Sequence, residues 1–378
     1  MRRILLVPDS FKGTLTSRQV CGVMQTQLER FFPQAEIRGL PVADGGEGSV
    51  DAFLAAAGGV RKTVTVTGPF GEPVESFFGI LPDGKTAVVE MAACAGLPMA
   101  EGCLDPERAT TYGVGELILA AKAAGCSRVI AGLGGSCTND GGAGAAAALG
   151  AVFTRRDGSR FVPTGGTLRE IASLDCSPVR ETLQGLELTV MCDIDNPLYG
   201  KTGAAHVFAP QKGADSPMVE RLDQGLRHLA QTAARCLGED KSQLPGAGAA
   251  GGLGFGMAAF CGASLHRGID VVLDTLHFEE LLTEADLVFT GEGRIDSQSA
   301  QGKVISGVAS RAKKAGVPVV ALVGEIGPGF EALYGQGLTA VFSINRAPQP
   351  FSESRRHAGE NLALAVENIA RLLAGAGL

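Results

Sequence analysis

The 378-residue chain has no tryptophan, three tyrosines and only 5% aromatic residues. Basic residues are also in deficit, 33 against 40 acidic, for a net charge of -7. Proteins that hold nucleic acid need a basic face or rings on which bases stack, so both shortages argue against that partner. Nine cysteines include no C-x-x-C pair, which removes the usual zinc spacing, and their odd number does not suit a disulfide framework. Free thiols in a large core fit a reducing compartment, so a cytoplasmic location is expected. Long apolar runs are missing too. Ile4–Pro8 is too short for a signal-peptide core, and the apolar stretch 247–263 is broken by glycines, so no membrane partner is expected. No H-E-x-x-H or G-x-S-x-G occurs, which excludes the zinc-helix and serine-elbow readings.

What is present is apolar material and glycine. Apolar residues make up 45% of the chain and charged residues 19%, ample for a sizeable core. At roughly 150 residues per domain the length suggests two domains. Glycine contributes 54 residues, about twice the usual share. The glycines cluster after short apolar runs, where backbones approach ligands or one another closely.

The elements read as two textures. Arg3–Val7 is a continuous apolar run, as expected of a strand buried on both faces. A helix follows over 17–32, capped by Thr16 or Ser17, with Val20, Met24 and Leu28 as its apolar stripe. A second strand, 36–42, and a helix to about Ala57 complete a β-α-β-α start. The runs 61–66, 74–80 and 86–90 then alternate between turn signals and read as antiparallel hairpins. Strands are expected at 129–133 and 188–192, and helices at 141–149 and 217–237. From Asp286 the first texture returns, with strands at 287–290, 317–323 and 340–344 and helices at 303–315 and 360–373. The fold class predicted is α/β with two α/β domains. Residues 1–60 plus 285–378 would form a discontinuous wound parallel-sheet domain, flavodoxin- or Rossmann-like, with residues 61–284 inserted as a mixed α/β domain.

Polar residues fall where these strands end. The runs close in Asp9-Ser10-x-Lys12-Gly13, Asp44-Gly-Gly-Glu47, Gly134-Gly135-Ser136, Asp193-x-Asp195-Asn196, Gly291-Glu292-Gly-Arg294-x-Asp296 and Gly324-Glu325. Ligands of open α/β sheets bind beyond the carboxyl ends of strands, so these loops are expected to line one cleft. The glycine runs 132–144 and 246–256 would either offer backbone N–H groups to phosphate or let helices pack closely. A formal G-x-G-x-x-G starts at Gly246, but 241–245 is not a convincing strand. Asp193 and Asp195, two apart, point to one side if strand geometry continues, which suits a hard cation beside phosphates; each could equally cap a turn. Lys12, Lys212, Arg294 and Lys303 are the cations set in loop motifs.

Together these motifs resemble the bacterial glycerate kinase type-1 family. The stretches that carry the likeness are 7–13, 41–48, Gly132-Leu-Gly-Gly-Ser-Cys-Thr-Asn-Asp-Gly-Gly-Ala-Gly144, 193–197, Phe208-Ala-Pro-Gln-Lys-Gly-Ala214, 245–254 and Thr290-Gly-Glu-Gly-Arg-Ile-Asp296, collinear along essentially the whole chain. The resemblance implies two α/β domains, one inserted in the other. It also implies an ATP- and magnesium-dependent kinase that converts D-glycerate to 2-phosphoglycerate, with 3-phosphoglycerate the other regiochemistry, in glycerate and sugar-acid catabolism.

On that reading the reaction is in-line phosphoryl transfer, in which a protein mainly positions groups and neutralises charge. Gly134, Gly135, Ser136, Thr138 and Asn139 are the candidates for the triphosphate. Asp193 and Asp195 would share magnesium binding and activation of the glycerate hydroxyl, and Lys12 and Arg294 would hold the carboxylate or the moving phosphoryl group. Asp9, Ser10, Asp44, Glu47, Glu292 and Asp296 would complete a polar cleft that closes over the substrates. The expected partners are ATP and D-glycerate, and a homodimer is compatible with the chain. Two other readings stay open: an NAD(P)-dependent hydroxy-acid oxidoreductase resting on residues 246–251, and a non-catalytic sugar-acid sensor on an enzyme-like scaffold.

Overall fold

The protein, seen in a computed structural model, is described over residues 1–43 and 45–377, with Gln301 described through its backbone only. Asp44, one of the expected cleft acids, therefore lies outside the described residues. The chain divides into two compact units. The first comprises Met1–Asp44, Asp51–Gly58 and Arg267–Leu378, and the second Gly45–Val50 and Gly59–His266.

In the first unit five strands form one parallel sheet, in the order Ala340–Ser343, Val319–Ile326, Leu287–Ile295, Arg3–Pro8, Glu36–Gly39. Both chain ends thus contribute to one wound sheet. Ile4, Leu5, Leu6 and Val7 are wholly buried, which is why this run is continuous rather than alternating. Numbered within the unit the order is 2-1-3-4-5, the flavodoxin-like arrangement, whose direction reverses between Arg3–Pro8 and Leu287–Ile295. Thr16 caps the helix Ser17–Phe31: its hydroxyl accepts the Gln19 N–H at 3.2 Å, and the Gln19 side chain accepts the Thr16 N–H at 2.9 Å. Such a cap stabilises by about 1 kcal/mol. Val20, Met24 and Leu28 are buried beside Leu362 and Val366 of the last helix, Ala358–Gly375.

Two boundaries differ from expectation. The strand expected to stop at Thr290 runs on to Ile295, because Gly291 lies where a Cβ would stand 2.2 Å from the Leu322 carbonyl oxygen. Glycine there extends the sheet instead of ending it. The first unit also resumes at Arg267, not near 285. Helix Gly268–Thr275 is held to helix Val304–Ala315 by the Arg311 guanidinium, which bonds Asp270 at 3.1 Å and Asp274 at 2.6 Å.

The second unit carries a six-stranded mixed sheet, ordered Ser264–His266, Glu187–Met191, Arg128–Gly132, Thr86–Glu90, Pro73–Ile80, Val60–Thr67. Its first four strands run parallel and the last two add antiparallel neighbours. Thr86–Glu90 therefore ends the expected hairpin series and also pairs in parallel with Arg128–Gly132. A small antiparallel sheet joins Val152–Thr154 with Arg160–Phe161 and Ser173–Asp175. The helix expected from Gly141 begins at Ala143, since Gly141 and Gly142 sit at φ 65° and 74°, outside helical space. All nine cysteines are free, and among the described residues no helix is long and apolar enough to cross a membrane.

Candidate active site

The expected site residues fall into two clusters, one in each unit. In the first unit the cluster stands at the switch point of the parallel sheet, the position where such sheets bind ligands. Arg3–Pro8 delivers Asp9, whose N–H donates to the Gly291 carbonyl at 2.8 Å and whose carboxylate accepts the Ser10 N–H at 2.6 Å. Lys12 is exposed in the turn that follows, where the Phe11 N–H donates to the Leu15 carbonyl at 2.8 Å. Glu292 and Arg294 lie within the strand Leu287–Ile295, two residues apart, and so project to the same face.

Glu292 is buried, and its carboxylate accepts the Ser299 hydroxyl. Burial pushes this carboxyl above its ordinary value and Asp296 adds to the rise, while the Ser299 hydrogen bond and the charges of Lys303 and Lys12 pull it back. A carboxyl that holds its proton more firmly than usual can exchange one with a substrate. Arg294, about half exposed, reaches Asp296 at 3.2 Å and Glu325 at 3.2 Å. Asp296 also accepts the Gln298 N–H at 2.9 Å. The cluster thus holds two sequence-expected cations and three of the expected acids, Asp9, Glu292 and Asp296.

In the second unit three segments meet at the carboxyl edge of the parallel strands. The Gly134 N–H donates to the Gly45 carbonyl at 2.9 Å, and a Cβ on Gly134 would stand 2.5 Å from the Gly46 Cα. A Cβ on Gly45 would in turn meet Met191 at 3.0 Å. These approaches bring Gly45–Val50, with exposed Glu47, beside the loop after Arg128–Gly132 and the end of Glu187–Met191. Gly134 and Gly135 open towards solvent, Ser136 is buried at the rim, and Thr138 and Asn139 are fully enclosed. The Thr138 hydroxyl donates to the Ala250 carbonyl at 3.3 Å. Neither side-chain polar atom of Asn139 has a partner.

Asp193 and Asp195 stand beyond this strand in irregular backbone, because regular pairing stops at Met191 with one further bond from the Cys192 N–H to the His266 carbonyl at 2.8 Å. Their presence on a common face therefore does not follow from strand alternation. Asp193 is half-buried and Asp195 exposed. Burial pushes the neighbouring Cys192 thiol up to about 11, with the two aspartate charges adding to the rise. Among the described residues no cluster of three or more His, Cys, Asp and Glu gathers as a metal cage. Two carboxylates are nevertheless a donor set that fits magnesium, which takes one or two protein oxygens plus substrate phosphates.

The glycine-rich segment 246–256 is a scaffold for this site. The Gly248 N–H donates to the Asn196 carbonyl at 2.9 Å, and a Cβ on Gly251 would fall 2.0 Å from the Thr138 carbonyl oxygen. Ala250, Gly251 and Gly252 are all left-handed, at φ 54°, 66° and 92°. No strand enters Gly246 among the described residues, so the context of a dinucleotide fingerprint is missing.

Two residues were given no site role from sequence: Lys212, noted only among the loop-motif cations, and Asp140. Lys212 is fully enclosed, its ammonium donating to the Ser136 hydroxyl at 2.6 Å and the Thr138 carbonyl at 2.7 Å. Asp140 is wholly buried and accepts bonds from Thr111, Gly142 and Gly144. Both stand in the motifs 208–214 and 132–144, and motif membership was the one signal that could have raised them.

A model of the glycerate kinase family matches residues 4–374. The chain is 46% identical to the glycerate kinase of Bacillus subtilis (strain 168) over 369 residues, 97% of each chain. It is 43% identical to the glycerate 2-kinase of Escherichia coli (strain K12) over 373 residues, 98% of each. A crystal structure from Salmonella typhimurium LT2 superimposes with a TM-score of 0.87 at 42% identity, covering 100% of this chain and 99% of that one.

Proposed function

The chain belongs to the glycerate kinase family, and from that premise we propose that it phosphorylates D-glycerate at C2 with ATP. The observation that carries this reading is the family match over residues 4–374, with motif residues at the carboxyl edge of each parallel sheet. The similarity to a glycerate 2-kinase supports the C2 product over 3-phosphoglycerate.

In the transfer, the glycerate hydroxyl oxygen forms a bond to the γ-phosphorus as the bond from that phosphorus to the β,γ-bridging oxygen breaks. The hydroxyl proton passes to a carboxylate, for which Asp193 is the candidate. Asp193 and Asp195 would also hold magnesium, which supplies neutralising charge to the phosphates when bound. Half-buried Gly134, exposed Gly135 and buried Ser136 form the rim on which the triphosphate would rest, with Thr138 and Asn139 supporting that rim from inside. Lys12 and Arg294 would take the substrate carboxylate or the moving phosphoryl group. Arg294 is preorganised for this role by Asp296 and Glu325, which fix its guanidinium in place.

ADP release in a coupled assay with ATP, magnesium and D-glycerate tests the reaction. Glycerate-dependent release is expected, with phosphorus–proton coupling in the product marking C2. A folded protein inert towards D-glycerate, L-glycerate and tartronate would refute the assignment. Arg294→Ala should raise the KM for glycerate by about 10- to 100-fold, the loss of one charged contact, with little change in the KM for ATP. Because Arg294 is half exposed, its ion pairs add little stability, and Tm should barely move. Equal rises in both KM values would assign Arg294 to the phosphates instead.

A further inference from the structure

Lys212 presents an energetic problem that the fold alone does not resolve. Its side chain is among the largest fully buried ones, yet both acceptors of its ammonium are neutral oxygens. Among the described residues no carboxylate lies within ion-pair distance of it. A buried cation without a counter-charge costs several kcal/mol, and a neutral side chain of similar length would avoid that cost. The short helical turn Pro210–Lys212 nevertheless aims the ammonium at the inner side of the loop 134–140. One residue beyond Thr138, the Asn139 amide is buried with neither polar atom partnered, the only such side chain among the described residues. The loop therefore carries an unsatisfied amide one residue from the carbonyl that holds a buried ammonium with no ion-pair partner, and buried polar groups of this kind mark a missing partner.

Resting on the reading of this loop as the phosphate rim, we infer that Lys212 is a positioning residue whose buried charge is neutralised by a phosphate anion seated on Ser136. The Ser136 hydroxyl accepts from the ammonium and keeps its own proton to donate outward, so the cation acts on the anion through that hydroxyl. The same ammonium holds the Thr138 carbonyl inward, which fixes the loop before a ligand arrives. The titratable groups nearest Lys212 are Cys137, whose buried thiol is pushed up to about 11 and stays neutral into mildly alkaline solution, and Asp140, which makes no ion pair with it. Burial lowers the ammonium from its ordinary range to about 8, so part of the population gives up the proton in mildly alkaline solution. An arriving anion restores it.

The test uses inorganic tripolyphosphate as the probe on the full chain. At pH 7 Lys212→Met should bind tripolyphosphate at least tenfold more weakly than wild type. Its KM for ATP should rise correspondingly, with the KM for D-glycerate within about twofold. Calorimetry at pH 8.5 in buffers of different ionisation enthalpy should show proton uptake on tripolyphosphate binding by wild type that is absent from the variant. Affinity within twofold of wild type, identical proton uptake, or a KM effect confined to glycerate would each overturn the inference. Should the variant not fold, Ser136→Ala decides, since it keeps the ammonium but removes the hydroxyl through which it acts: tripolyphosphate affinity within twofold of wild type would overturn the inference. Failure of the kinase reading is separable: it shows as absent glycerate turnover by wild type, whereas tripolyphosphate binding is measured without glycerate.

Discussion

Asp193→Asn should lower kcat for glycerate phosphorylation by about a thousandfold, the usual contribution of a positioned proton acceptor. The amide keeps the size of the carboxylate but neither its basicity nor its charge. Asp193 is half-buried in a loop outside the regular strands, so the substitution leaves the sheet pairing of Glu187–Met191 with Arg128–Gly132 untouched. Tm should therefore stay within about 2 °C, since a surface or rim change is typically worth less than 0.5 kcal/mol. Asp195→Asn is the informative companion, because Asp195 is exposed and stands two residues further along the same loop. If Asp193 takes the proton and both acids hold magnesium, Asp195→Asn should be rescued in part by raised magnesium and Asp193→Asn should not. Near wild-type turnover by Asp193→Asn would remove it from the mechanism.

The sequence shows the burial of strands more plainly than their ends. Ile4–Val7 and Val319–Val323 are apolar without interruption because both faces are covered, and this pattern needs no knowledge of partners. The extension of Leu287–Ile295 was hidden because Gly291 and Gly293 read as turn residues. Gly291 lets the Leu322 backbone close in, whereas a Cβ on Gly293 would meet Lys12 and Phe11 only at ordinary contact distance. The same ambiguity governs 246–256, where phosphate binding and close packing ask for the same residue. Gly248, Gly251 and Gly256 lie against Pro197, Thr138 and Gly142, so packing accounts for them.

The candidate site was legible as a set of polar residue types after apolar runs, but their burial was not. Glu292 is buried because Ser299 and the parallel neighbour strand cover it, and Lys212 because a loop 76 residues earlier in the chain wraps its ammonium. Nothing local distinguishes these residues from exposed Lys12 or Glu47. The pair Asp193 and Asp195 shows the converse limit. Spacing by two suggests one face only while strand geometry lasts, and it ends at Met191.

The largest stability effect should come from Asp140→Ala. The wholly buried carboxylate accepts the Thr111 N–H at 2.7 Å, the Thr111 hydroxyl at 2.8 Å, the Gly142 N–H at 3.0 Å and the Gly144 N–H at 3.3 Å. The Thr111 hydroxyl in turn accepts the Ala145 N–H at 2.9 Å, so one side chain ties the start of the helix Tyr112–Ala123 to that of Ala143–Ala148. Truncation strands three backbone donors where water has no ready access, because Gly144 leaves so little room that a Cβ would meet Thr110 at 2.3 Å. Each buried donor left unmet costs about 1–3 kcal/mol, so a total loss of at least about 4 kcal/mol is expected. Asp175 supplies the control, since it makes a similar bond to the Ser177 N–H at 2.8 Å but is exposed, and water can replace it. Asp175→Ala should leave the unfolding midpoint close to that of wild type. Urea unfolding followed by circular dichroism reads both variants, with amide exchange reporting whether residues 134–145 lose protection first. A loss below about 1 kcal/mol for Asp140→Ala would mean that the Thr111 network closes on itself without the carboxylate. The loop that carries Ser136 would then owe its shape to Lys212 and the packed glycines alone.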